Sequence, residues 1–421
     1  MIEADLLVRG AASLLTCAGP IPRAGAGQRE VGAIARGAAA ARDGRLVFVG
    51  PEVELDRAVH PLPGARTLDA AGGTVLPGFC DPHTHLPFAG TRADELARRV
   101  AGATYAEIAA AGGGILSTVR AVRAASEDDL VALALPRLAR MLAHGTTSIE
   151  AKSGYGLTEE DELKQLRALR RLGPLQPVEI APTLLAAHAV PPEFRSDREG
   201  YLRLITERII PRAGAEGLAR FCDVFVEGVA FGPDEARRIL AAASEHGLAS
   251  RLHADQLTLS GGAALAAELR AVSADHLEWA DPAGLDAMAR AGTVAVLLPG
   301  AAFFLMERRY AGARDMIDRG VPVALATDFN PGTCPTESMP MILALAVLKM
   351  RMTAEEAIVA ATANAAAALG RGAEVGSLEV GKQADLIVLD LPDHAHIAYH
   401  FGVNPVRAVV KKGKVVVERQ G

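Results

Sequence analysis

The chain has 421 residues, half of them hydrophobic, and this length is too great for a single small core. It carries 44 basic and 50 acidic residues, a formal net charge of −6. No basic tract stands out, so a nucleic-acid partner is not expected.

The first seventy residues have the pattern of short strands joined by turns. Apolar and polar residues alternate and break at Gly and Asp, as in "ADLLVRG", "ARDGRLVFVG" and "ARTLDAAGGTVLPG". The last fifty residues return to this pattern, in "GSLEVGKQADLIVLDL" and "VRAVVKKGKVVVE". We therefore expect residues 1–73 and 366–421 to form one small β-domain, whose halves are distant in sequence and joined in space.

Residues 74–365 have a different pattern, in which short apolar runs alternate with longer helical stretches. Eight runs follow one another: "TVLPGFCDPHTH", "TTSIEAKSG", "VEIAPTLLAAH", "CDVFVEG", "LASRLHAD", "AVSADHL", "TVAVLLPG" and "PVALATDFN". In the helical stretch "TEEDELKQLRALRRLG", Thr158 is a candidate N-cap and leucines make one apolar face. Eight such alternations predict a (β/α)8 barrel. A doubly wound sheet is the alternative, but no GxGxxG opens a helix after a strand.

Polar residues are concentrated where these runs end, which in such a barrel is where the chemistry is carried out. Five of the eleven histidines lie at these ends: His83, His85, His188, His253 and His276. They are accompanied by other polar side chains: Glu150, Lys152, Tyr155, Asp223, Glu227, Asp255, Gln256, Asp275, Asp328 and Asn330. The seventh run ends in "LLPG", without a titratable group.

His83 and His85 are two residues apart on an extended segment, so their side chains point to the same face. Such a pair suits a metal ion, with surface or hydrogen-bonded histidines as the alternative. His253 and Asp328, at later strand ends, complete a set of ligands that suits zinc or iron. Asp328 follows an apolar run, where a buried carboxylate needs a partner or a proton. It is predicted to be a ligand and a general base, with a helix N-cap as the alternative role.

The same residues resemble the amidohydrolase superfamily of metal-dependent hydrolases, through HxH after strand one, His on strands five and six, and Asp on strand eight. The resemblance implies a distorted (β/α)8 barrel, residues 74–365, beside a small β-sandwich made from both termini. Within the superfamily, segments along nearly the whole chain are similar to the imidazolonepropionase family: "DPHTHLPFAGTR", "EAKSGYGL", "AAHAVPPEF", "SADHLE", "LLPG", "ATDFNPGT" and "YHFGVN".

The resemblance implies hydrolysis of the ring C–N bond of 4-imidazolone-5-propanoate to N-formimidoyl-L-glutamate. Members with two metals usually carry a bridging lysine on strand four, and "CDVFVEGVAF" has none. One divalent or trivalent ion, zinc or iron, is therefore expected, held by His83, His85, His253 and Asp328. Asp328 is expected to move a proton from water to the leaving nitrogen, and His276 to stabilise the oxyanion.

Gln256, three residues after His253, is a candidate catalytic residue and separates the alternative activities. Deaminases of the superfamily carry a glutamate there as proton shuttle, and a glutamine cannot transfer a proton. Gln256 therefore argues against deamination of cytosine or guanine, whereas imidazolonepropionases carry either residue. Another cyclic-amide hydrolase or aminohydrolase of the superfamily remains the alternative. A catalytically silent binding protein is a further one, although such relatives usually lose metal ligands that are all present here.

The propionate of this substrate needs a cation, and the resemblance assigns that role to Arg92, whose guanidinium matches a carboxylate as a fork. Without the resemblance, Arg92 would be interpreted as a solvated surface charge. Other substrate contacts that the resemblance implies are Tyr155, His188, Asn330, Gly332, Thr333 and, more weakly, Tyr105. Glu150 and Lys152 share one strand face and are expected to be a structural ion pair below the site, without a chemical role.

The expected partner is a small-molecule substrate, with neither nucleic acid nor membrane involved. The first residues lack a basic segment before an apolar core, and the apolar runs are too short and interrupted to span a bilayer. Four separated cysteines without CxxC spacing predict reduced thiols, hence a cytoplasmic enzyme. An apolar barrel surface is compatible with a homodimer.

Overall fold

The alternating N-terminal segments form strands in the computed structural model, which describes residues 1–103, 107 and 112–419. These first elements are β1 (Ile2–Arg9), β2 (Ser13–Leu15), β3 (Ala33–Ala35), β4 (Gly37–Arg42), β5 (Arg45–Pro51), α1 (Glu52–Ala58), β6 (Val59–Asp69) and β7 (Thr74–Pro77). Strands β5, β4, β1 and β6 form a four-stranded sheet in that order. Strands β2, β3 and β7 belong to a second sheet.

All eight apolar runs of the middle region are strands of one parallel sheet, which confirms the predicted barrel. They are β8 (Phe79–Asp81), β9 (Thr146–Lys152), β10 (Glu179–Ala187), β11 (Phe221–Val226), β12 (Ala249–Ala254), β13 (Ser273–His276), β14 (Val294–Leu297) and β15 (Val323–Leu325). Residues just beyond the first and last strands join them: Asp328 N donates to His83 O at 3.1 Å and His85 N donates to Phe329 O at 2.9 Å. The seam of the barrel therefore runs between predicted metal ligands.

Helices connect the barrel strands. They are α2 (Ala93–Val100), α3 (Ile115–Ala124), α4 (Glu127–Ala143), α5 (Glu159–Leu172), α6 (Arg198–Leu204), α7 (Ile210–Ala215), α8 (Pro233–Glu245), α9 (Gly262–Glu268), α10 (Pro282–Ala291), α11 (Pro299–Phe304), α12 (Ala313–Asp318), α13 (Met339–Met350), α14 (Ala354–Ala361) and α15 (Ala363–Ala368). Helix α5 begins as predicted, because Thr158 Oγ1 accepts a hydrogen bond from Asp161 N at 3.2 Å. No helix in the described part of the chain combines the length and apolar character needed to cross a membrane.

The C-terminal segment returns to the second sheet through β16 (Leu386–Leu389), α16 (His396–Tyr399), β17 (Val406–Lys411) and β18 (Lys414–Glu418). This sheet has the order β18-β17-β16-β7-β2-β3 and so draws on both termini. Its apolar face packs on the four-stranded sheet, and side chains of both sheets share one core, among them Leu6, Leu46, Val75, Leu386 and Val388. The small sandwich made from both termini is confirmed. Residues 74–77, which the expected division placed in the barrel, pair with β16 in this sheet.

Candidate metal centre

Three histidines converge at the carboxyl ends of β8 and β12. The ligand nitrogens of His83, His85 and His253 lie within 4.8 Å of one another, and all three side chains are buried. His83 and His85 reach this point from one extended segment because residues two apart share a face. His253 comes from the opposite part of the sheet, so the barrel brings together residues that are far apart in sequence.

Asp328 lies beside these histidines, just after β15. Its Oδ1 atom is 3.5 Å from Nε2 of both His83 and His85. Its φ of 54° is in the left-handed region, which asparagine and aspartate tolerate better than most residues. His276 lies at the same centre, because ligand atoms of His83, His276 and Asp328 also fall within 4.8 Å of one another. The structure thus brings together the four predicted ligands and His276.

The residues below the histidines orient the rings. Nδ1 of His83 lies 2.6 Å from Asp275 Oδ2, and Nδ1 of His253 lies 3.0 Å from Asp223 Oδ2. At His83 this contact is a hydrogen bond, which holds the ring proton on Nδ1 and leaves a lone pair on Nε2, as at metal sites. Nδ1 of His253 is close to its carboxylate but outside hydrogen-bond geometry. Burial, more than neighbouring positive charge, lowers the pKa of both His83 and His85 well below the usual value. These imidazoles are therefore neutral, which is the form that binds a metal.

An unsatisfied atom provides a test of whether a metal fits. Nε2 of His83 is buried and has no hydrogen-bond partner among the described residues. An orphaned nitrogen in the interior costs free energy unless something occupies its lone pair. A cation shared with His85, His253 and Asp328 would do so. The donor set of three neutral imidazoles and one carboxylate therefore fits a metal ion.

A fully buried charge network lies under the histidines. Lys152 Nζ is 2.7 Å from both Glu150 Oε1 and Asp223 Oδ2, and Arg251 Nη2 is 3.5 Å from Asp275 Oδ2. Burial alone would lower the pKa of Lys152, but the two carboxylates outweigh it and raise that pKa. Three carboxylates against two cations leave one negative charge next to the proposed cation site. The expected Glu150–Lys152 pair is therefore part of a larger network.

Arg251 is a member of this network that the sequence analysis did not single out. Its Nη2 donates to Pro82 O at 2.6 Å, and its Nη1 donates to Ala368 O at 2.9 Å. It therefore fixes the residue before His83 and the last residue of α15. The sequence does contain a signal for Arg251. This residue is two positions before His253 on a buried strand, so the two side chains must share a face. A charge there requires partners.

Tyr155 and His188 line the site beside His85. The His85 ring centroid is 5.7 Å from that of Tyr155 and 5.2 Å from that of His188, with which it stacks. Nδ1 of His188 lies 3.0 Å from Gly154 O, so it donates to that carbonyl. Burial lowers the pKa of His188 to about 3, so this ring is neutral at pH 7. Both predicted substrate contacts are therefore adjacent to a predicted metal ligand.

Arg92 is 8% exposed and is not the solvated surface charge that its local sequence alone suggests. Its Nη2 lies 2.8 Å from Glu95 Oε2. Its Nη1 packs against Gly332 so closely that a Cβ on residue 332 would lie 1.8 Å away. The absence of a side chain at Gly332 therefore leaves the space for this guanidinium, and the structure brings these two predicted residues together.

The "NPGT" turn holds Asp328 in place. Asn330 Oδ1 accepts hydrogen bonds from Gly332 N and Thr333 N at 2.8 and 2.7 Å. Asn330 Nδ2 donates to Asp328 O and to Thr333 Oγ1 at 2.6 and 2.7 Å. Thr333 Oγ1 in turn donates to Asp328 Oδ2 at 3.4 Å. The amide of Asn330 is thus used within the turn, and the Thr333 hydroxyl contacts the predicted base.

Gln256 and Tyr105 are the two remaining predicted site residues. Gln256 is half-buried at the end of β12, after Asp255, whose carboxylate accepts a hydrogen bond from Ala263 N at the start of α9. Tyr105 lies outside the residues that the structure describes.

Comparison with known proteins gives a family and close relatives. The amidohydrolase family model matches residues 74–416. The imidazolonepropionase of Symbiobacterium thermophilum is 54% identical over 419 residues, which cover 99% of this chain and 98% of the relative. The imidazolonepropionase of Myxococcus xanthus is 51% identical over 425 residues, and that of Geobacillus thermodenitrificans 50% over 417. Each of these alignments spans 98% of the relative and at least 98% of this chain.

Solved structures share the fold. A zinc-bound adenosine deaminase from Xanthomonas campestris aligns with a TM-score of 0.74 at 20% identity, over 99% of this chain and 94% of that one. A 5-methylcytosine deaminase from Klebsiella pneumoniae, liganded with 5-fluorocytosine, aligns with a TM-score of 0.75 at 17% identity, over 99% and 98%. At these identities the likeness supports the fold alone.

Proposed function

We infer that this chain, which belongs to the amidohydrolase family and within it to the imidazolonepropionases, hydrolyses the cyclic C–N bond of 4-imidazolone-5-propanoate. The product is N-formimidoyl-L-glutamate, an intermediate of histidine degradation. The observation that carries this proposal is 54% identity to an imidazolonepropionase over 99% of the chain. The geometry of the centre then suggests what each side chain does.

The proposed ligands are His83, His85, His253 and Asp328, holding one ion of zinc or iron per chain. Three nitrogen ligands and one oxygen ligand suit both metals. A cation held there supplies Lewis-acid catalysis, polarising a substrate carbonyl and making a water molecule more acidic. His276 is placed outside this set, and its proposed role is toward the substrate.

Asp328 is the proposed general base. Burial raises the pKa of the Asp328 carboxyl to about 7. A cation bound beside it would lower that pKa, so the carboxyl would be ionised and able to accept a proton from water. Its two oxygens are in different surroundings: Oδ1 faces His83 and His85, and Oδ2 faces the hydroxyl of Thr333. In the proposed sequence Asp328 takes a proton from the attacking water and delivers it to the ring nitrogen that leaves.

His276 is the proposed hydrogen-bond donor to the oxygen of the ring carbonyl, where negative charge develops during attack. Burial lowers the pKa of His276 well below the usual value. The ring is therefore neutral and carries one proton only. It can donate to the carbonyl oxygen only if that proton is on the nitrogen that faces the substrate.

Arg92 is the proposed partner of the substrate propionate. Glu95 engages one end of the guanidinium, and Gly332 leaves room beside the other. The fork is thus held in one orientation, which favours paired hydrogen bonds to a carboxylate. Tyr155 and His188, next to His85, form the proposed wall for the flat ring of the substrate.

A second candidate is another cyclic-amide hydrolase or an aminohydrolase of the family. Gln256 disfavours the aminohydrolase, because an amide cannot shuttle the proton that loss of ammonia requires. Comparing kcat/KM for 4-imidazolone-5-propanoate, hydantoin and cytosine separates these cases. We expect turnover of the first substrate alone. Comparable turnover of hydantoin, which lacks the propionate, would contradict the role of Arg92, and turnover of cytosine would contradict the assignment.

The proposed cellular setting is the cytoplasm, with a small-molecule substrate and neither nucleic acid nor membrane as partner. All four cysteines are free and buried, which suits a reducing compartment. A homodimer is the proposed assembly, supported by exposed apolar side chains such as Tyr399 and Phe401.

A further inference from the structure

Two buried polar atoms face each other beside the metal centre without a regular hydrogen bond. Nδ1 of His276 and Oε2 of Glu278 are 3.9 Å apart, and the side chains are 2% and 10% exposed. Neither atom has a hydrogen-bond partner within the part of the chain that the structure describes. Such atoms cost free energy when left unpaired. Hydrogen bonds of active sites are often long before the substrate binds. At 3.9 Å, His276 Nδ1 and Glu278 Oε2 are close enough to form a hydrogen bond after a small movement.

The backbone holds Glu278 in this place. The two preceding residues have φ values of 79° and 68°, a left-handed pair that turns the chain sharply after β13. On one side of Glu278, Leu277 N donates to Ala254 O at 3.0 Å. On the other side, Trp279 N donates to Asp255 O at 2.8 Å. Glu278 is therefore anchored to the end of β12, the strand that carries His253.

We propose that Glu278 is a positioning residue for His276. Its carboxylic acid donates a hydrogen bond to Nδ1 and so holds the imidazole in the tautomer that carries its proton on Nε2. That nitrogen is then the donor to the carbonyl oxygen of the substrate. The role of His276 toward substrate rests on the proposed function, whereas the pairing of the two side chains does not.

The surroundings of Glu278 keep its proton in place. Burial raises the pKa of Glu278 to about 8, so most of its carboxyl groups are protonated at pH 7. Three carboxylates add to this effect: Asp328, Glu307 and Glu227. The nearby cation Arg309 donates to the backbone carbonyl of Glu278, at 2.5 Å. Nδ1 of His276 has no other hydrogen-bond partner among the described residues, so the O–H of Glu278 can donate to the lone pair of this nitrogen.

Two variants separate positioning from proton transfer. Glu278→Gln keeps a donor for Nδ1 but cannot release a proton, whereas Glu278→Leu removes the donor at similar volume. We expect Glu278→Gln to keep kcat within about threefold because its amide replaces the donor. For Glu278→Leu we expect kcat to fall about 10–100-fold, the usual effect of losing such a supporting contact, with KM nearly unchanged. The matched control is Glu245→Gln, an exposed carboxylate at the end of α8, which should leave kcat unchanged.

A measurement without substrate tests the pairing itself. The ¹⁵N shifts of the His276 ring in the zinc-loaded protein, assigned with His276→Asn, report which nitrogen carries the proton. We expect the proton on Nε2 in the wild type and Glu278→Gln, and on Nδ1 or on both nitrogens in Glu278→Leu. An unchanged tautomer in Glu278→Leu would overturn the proposal. So would equal losses of kcat in both Glu278 variants, which would indicate proton transfer instead. If the protein does not turn over the substrate, the proposed function fails, but the NMR experiment still tests the pairing of Glu278 and His276. The failure of the function and the failure of the pairing are therefore distinguishable.

Discussion

Nδ1 of His83 lies 2.6 Å from Oδ2 of Asp275, with both side chains fully buried. The contact orients the ring so that Nε2 lies 3.5 Å from Asp328 Oδ1. Because a carboxylate beside Nδ1 also makes the imidazole a stronger base, we propose that Asp275 raises the affinity of the proposed centre for a cation without touching the cation.

Asp275→Asn should lower the affinity for the metal about 10–100-fold, because the neutral amide keeps the shape but loses the charge that supports His83. Competition with a chelator of known affinity measures this. Activity should return when excess metal is added. The control is Asp286→Asn, a half-exposed carboxylate that pairs with Arg319 on the surface. Equal metal affinity in both variants would show that the Asp275 contact is only structural.

Lys152→Met should lower the free energy of unfolding by about 3–5 kcal/mol, because Glu150 and Asp223 would be left as buried carboxylates without their shared cation. Chemical denaturation of the metal-loaded protein measures the change. Lys349→Met removes an exposed lysine and should change stability by less than about 0.5 kcal/mol. A loss at Lys152 as small as that of the control would mean that these carboxylates find other partners.

Gly332→Ala should raise KM about tenfold or more with a smaller change in kcat. The new methyl group would displace the Arg92 guanidinium, whose hydrogen bonds to a charged partner are worth about 1.5–3 kcal/mol. Steady-state kinetics measures the effect, and Arg92→Met should show the same direction. The control is Gly173→Ala, where a Cβ meets nothing within 4 Å. A normal KM in Gly332→Ala would show that Arg92 does not hold the propionate in its present position.

Glu179→Gln should lower stability at neutral pH and should have a smaller effect in acid. Lys411 and Lys412 lie 2.7 and 2.8 Å from Glu179, joining the barrel to the small domain, and burial opposes but does not cancel their effect. They hold the pKa of Glu179 below its usual value of 4.5. The unfolded chain then binds the proton more readily, so this stabilisation is present above pH 4.5 and disappears as pH falls below it.

Unfolding free energies of the wild type and Glu179→Gln from pH 3 to pH 8 test this prediction. The difference should be about 1–3 kcal/mol at pH 7 and should decrease as the pH falls from 4.5 to 3, with part of it still present at pH 3. Glu54→Gln, on the exposed side of α1, should give a small difference that does not vary with pH. A pH-independent difference at Glu179 would show that its charge does not stabilise the junction.

The barrel strands and their polar ends could be predicted because both follow from local pattern. Apolar runs bounded by turns indicate strands, and parallel strands bring their carboxyl ends to one face. The two-residue spacing of His83 and His85 makes their side chains converge. The β-sandwich was predicted by resemblance and by the similar patterns of the two ends of the chain.

Beyond the Glu150–Lys152 pair, the partners within the buried charge network could not be predicted, because they depend on neighbours in space. Asp275 is 192 residues from His83, and Asp223 is 71 residues from Lys152. Glu278 was not singled out, since its side chain reaches His276 only after two residues of left-handed backbone. Asn330 was expected to contact the substrate, and the hydrogen bonds of the "NPG" turn give its amide a structural role as well.

One assay tests both the proposed substrate and the proposed metal centre. Freshly generated 4-imidazolone-5-propanoate is mixed with metal-analysed protein, and the loss of the ultraviolet absorbance of the ring is followed, with His253→Ala in parallel. We expect rapid loss of absorbance with about one metal per chain, and loss of both the metal and the activity in His253→Ala. A metal-loaded wild-type protein that leaves this ring intact would contradict the proposed substrate. Full activity in His253→Ala would contradict the proposed centre.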